Sequence, residues 1–112
     1  MKLEFKNDPY PEGHPSFGLV RITGELKLNL PDIWDEHSHI YYNIHESEKG
    51  VHILDRILYY DIDVYMDSDF PLCEREVCDT IEDAKTRIYE IIKQFLVDMR
   101  DGADKMLKEL EI

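Results

Sequence analysis

The stretch FGLVRITGELKLNL, residues 17–30, is the clearest indication of the fold. Apolar residues or glycine occupy every second position in its second part, namely Val20, Ile22, Gly24, Leu26, Leu28 and Leu30. The positions between them are polar. A period of two is that of a β-strand with one buried and one solvent-facing side. We therefore predict a long strand over residues 17–30, ended by Pro31.

Similar alternation recurs on the C-terminal side of this stretch. Residues 39–45 place Ile40, Tyr42 and Ile44 on one side of a strand. Residues 57–67 place five apolar residues on one side, namely Leu58, Tyr60, Ile62, Val64 and Met66. The polar residues 46–50 between them are typical of a turn, so the two strands are predicted to form a hairpin. On the N-terminal side, a short strand at residues 2–6 and an extended, proline-rich loop at residues 7–16 are predicted.

From residue 79 the apolar period becomes that of a helix. Apolar residues recur at spacings of three and four, at Ile81, Ala84, Ile88, Ile91, Ile92, Phe95, Leu96 and Met99. Asp79 or Thr80 is a suitable N-cap, with Glu82 or Asp83 completing the capping box. Gly102 either interrupts the helix or lies within it, because the apolar period resumes beyond this residue. The predicted class is α+β, a small antiparallel sheet of three to five strands packed against a long C-terminal helix, continuous or kinked.

Length and composition indicate a single domain over residues 1–112, strand-rich in 1–70 and helical in 79–111. A chain of 112 residues buries roughly 65% of its unfolded surface on folding, which is enough for one core. No basic segment followed by an apolar run begins the chain, and no window approaches 18 apolar residues. We therefore expect a cytoplasmic protein without a membrane contact. Cys73 and Cys78 are too few for a disulfide framework and are expected to be reduced, structural thiols.

Charge is distributed very unevenly along the chain. Residues 32–79 contain thirteen Asp and Glu against three Lys and Arg, a net charge of −10 out of −12 for the whole chain. The first 31 residues balance, and the last 33 carry only −2. If the acidic residues gather on one side of the fold, that side attracts a basic partner through complementary potential.

The second strand of the hairpin gives this charge a geometry. Asp61 and Asp63 alternate with apolar residues, so they share one face and lie about 6.7 Å apart along the strand. Tyr41, Tyr59 and Tyr65 are expected on the same face, and carboxylates beside tyrosines are typical of a protein-binding surface. The residues predicted to bind a partner are Asp61, Asp63, Asp67 and Asp69, a second cluster of Asp32, Asp35, Glu36, Glu46 and Glu48, and the packing anchors Tyr59 and Tyr65.

These features predict an acidic inhibitor that occludes a basic cleft, nucleic-acid-binding or catalytic, of another protein. Carboxylates meet the same Lys and Arg that hold phosphates, so such a surface acts as a mimic of nucleic acid. By charge and size the chain is comparable to phage inhibitors of bacterial defence, including anti-CRISPR proteins, and to the immunity proteins of bacterial toxins. No enzyme activity, no cofactor, no bound metal and no direct nucleic-acid contact are expected.

A metal site is one alternative. His37 and His39 lie two residues apart, so on a strand their side chains point the same way. Close to them in sequence are Asp35, Glu36, His45 and His52. These residue types suit zinc or another transition metal. The same histidines, next to carboxylates, alternatively form a pH sensor, because protonation weakens the negative field.

An enzyme is a second alternative. The segment 60–71 resembles the D-h-D-h strand of minimal nucleotidyltransferases, and the resemblance implies that Asp61 and Asp63 hold magnesium ions. That family also has a Gly-Ser turn at a helix start, whereas residues 46–50 place Ser47 and Gly50 in a different arrangement.

Self-association is the third alternative. An unbroken helix over the last 32 residues is about 48 Å long, which exceeds the width of a small sheet. Its end is then free to pair with another copy, so a homodimer or a self-associating scaffold is a further expectation.

Overall fold

The computed structural model describes residues 3–29, 39–49, 57–66 and 70–111. Within these ranges the chain forms five strands followed by one helix. The elements are β1 (Lys6–Asn7), β2 (Arg21–Lys27), β3 (His39–Lys49), β4 (Ile57–Met66), β5 (Phe70–Cys78) and α1 (Ile81–Leu110). The strands form one antiparallel sheet in the order β1-β2-β3-β4-β5, and α1 packs against β3, β4 and β5. The predicted α+β class, a small antiparallel sheet with a long C-terminal helix, is confirmed.

The core lies between one face of the sheet and the first half of α1. Alternate residues of β3 and β4 point into it, and Ile40, Ile44 and Ile62 have no solvent exposure. The helix contributes Ala84, Ile88 and Ile92, at spacings of four. The alternating apolar residues of the strands and the apolar stripe of the helix therefore meet in one apolar layer.

Gly24 shows how closely β2 and β3 pack. Gly24 lies opposite Tyr42, whose ring is buried and whose hydroxyl donates to the Glu4 carbonyl at 2.6 Å. A Cβ atom at Gly24 would overlap the Tyr42 ring and the Glu4 carbonyl oxygen. The glycine is needed because the tyrosine ring crosses β2 to reach the backbone of the N-terminal segment. Phe5 packs edge-on against the same ring, with the ring centroids 5.3 Å apart.

The strand boundaries differ from the predictions in three places. β2 begins at Arg21 and not at residue 17, because Phe17 is exposed and Gly18 takes a φ of 94° in a turn. Residues 46–49 continue β3 and are not a turn, since they pair with residues 57–60 of β4. The short N-terminal strand pairs at Lys6–Asn7.

β5 was absent from the sequence predictions. Its pairing with β4 contains register shifts near Val64, and Arg75 has a φ of 52°, in the left-handed region. An irregularity of this kind breaks the period of two on which strand prediction depends.

α1 is continuous from Ile81 to Leu110, so Gly102 does not interrupt it. Thr80, one of the two predicted candidates, is the N-cap, and its side chain accepts a hydrogen bond from the Asp83 N–H at 3.0 Å. All residues from 98 to 111 are exposed, and the longest dimension of the protein is 65 Å against 25 and 24 Å for the others. The second half of α1 therefore extends beyond the sheet. In the described part of the chain, no helix combines the length and apolar character needed to cross a membrane.

Candidate functional site

The face of the sheet opposite α1 is called the open face here. It is formed by the residues that alternate with the core positions. In the middle of β3 and β4 these are Tyr41, Asn43, His45, Ser47, Tyr59, Asp61, Asp63 and Tyr65. All of them are partly exposed. Antiparallel sheets commonly leave one face to solvent, and the side chains there are not determined by core packing.

Asp61 and Asp63 both lie on the open face. The Ser47 hydroxyl donates to Asp61 Oδ2 at 3.2 Å. The backbone N–H of Arg75 donates to Asp63 Oδ1 at 3.0 Å. Arg75 is the left-handed residue at the irregularity between β4 and β5, so the bulge supplies this N–H to a side chain. Among the described residues, no Lys or Arg side chain forms an ion pair with either carboxylate.

Tyrosines flank the two carboxylates. Tyr41 and Tyr65 are directly opposite each other on β3 and β4, with ring centroids 5.6 Å apart and an interplanar angle of 27°. His39 continues the stack, 6.0 Å from Tyr41. At the other end of the strands, Lys49 Nζ lies 5.9 Å from the centre of the Tyr59 ring. The aromatic groups and the two aspartates thus occupy one surface.

A network around His45 joins the open face to the loop between β1 and β2. The Tyr10 hydroxyl is hydrogen-bonded to His45 Nδ1 at 2.6 Å. The Arg21 guanidinium lies 4.6 Å from the centre of the Tyr10 ring and 3.3 Å from the Asp8 carboxylate. Burial lowers the pKa of His45, although the Asp63 carboxylate, with Oδ2 3.8 Å from His45 Nε2, acts in the opposite direction.

Glu46 and Glu48 do not lie on the open face. Because β3 continues to Lys49, its alternation directs both toward the α1 side of the sheet. Glu46 Oε1 accepts the Val20 N–H at 3.2 Å, and Glu46 Oε2 accepts the Tyr60 hydroxyl at 3.1 Å. Burial, together with this carboxylate, raises the pKa of Tyr60. Glu46 therefore connects backbone and side chains on the α1 side.

The acidic residues of 32–79 that the structure describes are divided between the two sides of the sheet. Glu76 also lies on the α1 side, where its carboxylate accepts a hydrogen bond from Arg87 Nε at 2.6 Å. This carboxylate raises the pKa of the Arg87 guanidinium. The prediction that the carboxylates gather on one side is thus wrong for the described residues. By register, the charged groups of β1 to β4 on the open face are Lys6, Arg21, Glu25, Lys27, Lys49, Asp61 and Asp63. Glu74 of β5 borders the same depression as Asp63.

Five other predicted binding residues, Asp32, Asp35, Glu36, Asp67 and Asp69, lie outside the described residues, as do His37 and His52 of the metal hypothesis and Gly50 of the Gly-Ser turn. Within the described ranges, no group of three His, Cys, Asp or Glu is arranged to hold a metal ion. Cys73 and Cys78 are free thiols, and burial raises the pKa of each.

Two shallow depressions interrupt the open face on either side of Tyr65. One, of ≈ 480 Å³, is bordered by Gly24, Glu25 and Tyr41. The other, of ≈ 350 Å³, is bordered by Asp63 and by residues of β5. Tyr65 lines both, so it stands as a ridge between two concave areas, each of which has a carboxylate at its edge, Glu25 in the first and Asp63 in the second.

The sequence predicted Asp61, Asp63, Tyr59 and Tyr65 as residues of a binding surface. It did not predict that Tyr10 and His45 are in contact with each other beside this surface. Tyr10 lies 35 residues from His45, in a loop without a periodic pattern, and no local pattern indicates such a contact.

Comparison with protein-family models, with curated proteins and with solved structures finds no match to this chain.

Proposed function

We propose that this domain is an acidic, protein-binding inhibitor whose open face occludes a basic cleft, nucleic-acid-binding or catalytic, of a partner protein. One observation carries the proposal: two carboxylates and three tyrosines lie together on the side of the sheet opposite α1. They are Asp61, Asp63, Tyr41, Tyr59 and Tyr65.

The side chains of this surface suit an arginine or lysine of a partner. Asp63 uses Oδ1 for the Arg75 N–H, while Oδ2 makes only the longer contact with His45. A guanidinium group stacks on aromatic rings and donates to carboxylates in the same plane. The Tyr41–Tyr65 stack, next to Asp63, offers both kinds of contact.

The size of the surface is adequate for a specific complex. Strands of about nine residues at 3.3 Å each, in four rows about 4.8 Å apart, cover roughly 600 Å². A standard interface buries about 800 Å² on each partner. The open face with the adjoining Tyr10 loop is therefore close to the area that a stable inhibitor needs.

Charge acts in two ways in this proposal. On β1 to β4 the four cations of the open face outnumber its three carboxylates, so this face is not itself net negative, although Arg21 is paired with Asp8 and Lys49 lies over the Tyr59 ring. The net charge of −12 still attracts a basic protein over long range. We therefore assign the association rate to the whole molecule and the specificity to Asp61, Asp63 and the tyrosines.

The test compares two variants with the same change in charge. Asp61→Lys/Asp63→Lys reverses both carboxylates of the open face, and Asp101→Lys/Asp104→Lys reverses two exposed carboxylates in the second half of α1. The parent chain, immobilised in a cell lysate and washed with rising salt, is expected to retain a basic protein that elutes at moderate salt. The open-face variant should lose this protein, while the α1 variant should retain it with only a slower association.

Surface plasmon resonance with the purified partner gives the rates. Tyr65→Ala should raise the dissociation rate by roughly 30-fold, the effect of losing a residue worth about 2 kcal/mol at the centre of an interface. The partner's nucleic-acid binding or catalytic activity should be blocked by the parent and not by the open-face variant. Equal binding by the parent and the open-face variant contradicts the proposed interface.

A further inference from the structure

The second half of α1, residues 98–110, is called the overhang here. Its apolar residues continue a regular series that starts where the helix still lies on the sheet. The series is Tyr89, Ile92, Leu96, Met99, Ala103, Met106 and Leu110, with alternating spacings of three and four. Met106 is 64% exposed and Leu110 is 80% exposed. This 3-4 repeat is the pattern of a helix that packs along a second helix.

Charge in the overhang differs from charge in the rest of the chain. Residues 98–110 contain four acidic and three basic side chains, a net charge of −1, in a chain of net −12. Two copies are able to approach here with much less repulsion than opposes contact between their acidic regions. The overhang continues a helix that is already formed on the sheet, but its own turns pack against no other element, so a covering partner would add the tertiary packing from which most helix stability comes.

An apolar groove lies beside the base of the overhang. It has a volume of ≈ 320 Å³ and is lined by Leu3, Tyr89, Ile92, Lys93, Leu96, Val97 and Arg100. Three of these residues belong to the 3-4 series, so the groove and the exposed stripe are on the same side of α1. Lys93 and Arg100 make its rim basic, and the Arg100 ion pair with Asp101 is exposed and therefore weak.

We propose that a second copy of this chain covers the stripe, with the two overhangs antiparallel and the last turns of each in the groove of the other. The overhang is about 20 Å long, and the stretch of α1 beside the groove, from Tyr89 to Met99, is about 15 Å long. The overhang of one copy is therefore long enough to reach along the groove of the other. The charges also agree. Leu107 and Leu110 enter the apolar groove while Glu109 and Glu111 reach the rim formed by Lys93 and Arg100.

The antiparallel direction follows from the same charges. In a parallel pair, the basic rim of one copy lies beside the basic rim of the other, and the two acidic tips also lie beside each other. Both contacts are repulsive. The antiparallel pair sets basic rim against acidic tip twice. It also carries the two sheets to opposite ends of the paired helices, so that both open faces point away from the contact. The proposal is independent of the proposed inhibitor function.

The first experiment measures self-association by sedimentation equilibrium at several protein concentrations. Leu110→Glu places a charge in the stripe, and Lys108→Gln changes the net charge equally on the opposite side of the helix. Both sites are exposed, so both variants should keep the circular dichroism spectrum of the parent. We expect the parent to dimerise, Leu110→Glu to weaken the dimer by at least roughly tenfold, and Lys108→Gln to change it by less than about twofold. A parent chain that stays monomeric up to about 1 mM, or a dimer unaffected by Leu110→Glu, overturns the proposal.

The second experiment tests the antiparallel docking itself. Lys93→Glu/Arg100→Glu makes the rim acidic, and Glu109→Lys/Glu111→Lys makes the tip basic. Each double variant alone repels itself in the proposed arrangement and should be monomeric. A mixture of the two restores opposite charges at both junctions and should form a heterodimer at least as strong as the parent homodimer. Failure of the mixture to associate, when both variants are folded, excludes the antiparallel arrangement.

Discussion

The two faces of the sheet are built from the same strands, yet they have different composition and surroundings. On β3, Ile40, Tyr42 and Ile44 are buried beneath α1 or the N-terminal segment, while their neighbours Tyr41, Asn43 and His45 are partly exposed on the open face. Packing selects the residues of the first set, because each fills a defined space. The second set is not selected by core packing, so Tyr41, together with Asp61, Asp63 and Tyr65 of β4, is available for binding.

The largest difference between the faces is expected in stability. Ile44→Ala removes a fully buried side chain and should lower the free energy of unfolding by about 2–5 kcal/mol. Tyr41→Ala, on the open face, removes mainly the stack with Tyr65 and should cost about 0.5–1.5 kcal/mol. Urea unfolding followed by circular dichroism measures both. Equal losses would show that the open face holds the fold as much as the core does.

The face of the sheet that α1 and the N-terminal segment cover is called the covered face. The close contact between β2 and β3 provides the next test of this face. Gly24→Ala places a Cβ atom against the Tyr42 ring and the Glu4 carbonyl, and we expect a loss of about 1–3 kcal/mol. The double variant Gly24→Ala/Tyr42→Leu should lose less than the sum of its two single variants, because the shorter side chain removes one of the two overlaps. Additive losses would indicate that the ring does not determine the need for glycine.

Local periodicity predicted most of this architecture. β3, β4 and the start of α1 follow from alternation, from the 3-4 spacing and from the capping residue Thr80, all of which are properties of a few neighbouring residues. β5 was missed because the left-handed Arg75 shifts its register against β4. The placement of Glu46 and Glu48 was wrong for a related reason. Their polar sequence predicts a turn, whereas cross-strand pairing with β4 extends β3 through them.

The candidate site was predictable only in part. Asp61 and Asp63 share a face by strand geometry alone, and so do Tyr59 and Tyr65. The contact of Tyr10 with His45 and the donation of the Arg75 N–H to Asp63 depend on the path of a loop and on a bulge, neither of which has a periodic pattern.

A smaller effect should come from His45, the titratable group between the loop and the open face. Its pKa is lowered by burial, so below about pH 6.5 the unfolded chain binds a proton here that the folded chain does not. The free energy of unfolding should therefore decrease as the pH falls through this value and level off below the pKa of the folded state. Urea unfolding of the parent and of His45→Gln between about pH 7.5 and 5.0 isolates this contribution, since the other histidines are common to both chains. Identical slopes in the two chains would contradict the burial of this imidazole.

The smallest effect is expected where charge is removed from the open face without a change of shape. Asp61→Asn/Asp63→Asn keeps an oxygen to accept the Ser47 hydroxyl and the Arg75 N–H, and it relieves the repulsion between two carboxylates. We expect the free energy of unfolding to change by no more than about 0.5 kcal/mol. The matched variant is Ile62→Val, which lies between the two aspartates, faces the core and should cost about 1 kcal/mol for one methyl group. One methyl group on the covered face then outweighs two charges on the open face, because close packing against α1 stabilises the fold and the carboxylates remain available for a partner. A larger loss from the double Asn variant than from Ile62→Val would show that Asp61 and Asp63 serve the fold itself.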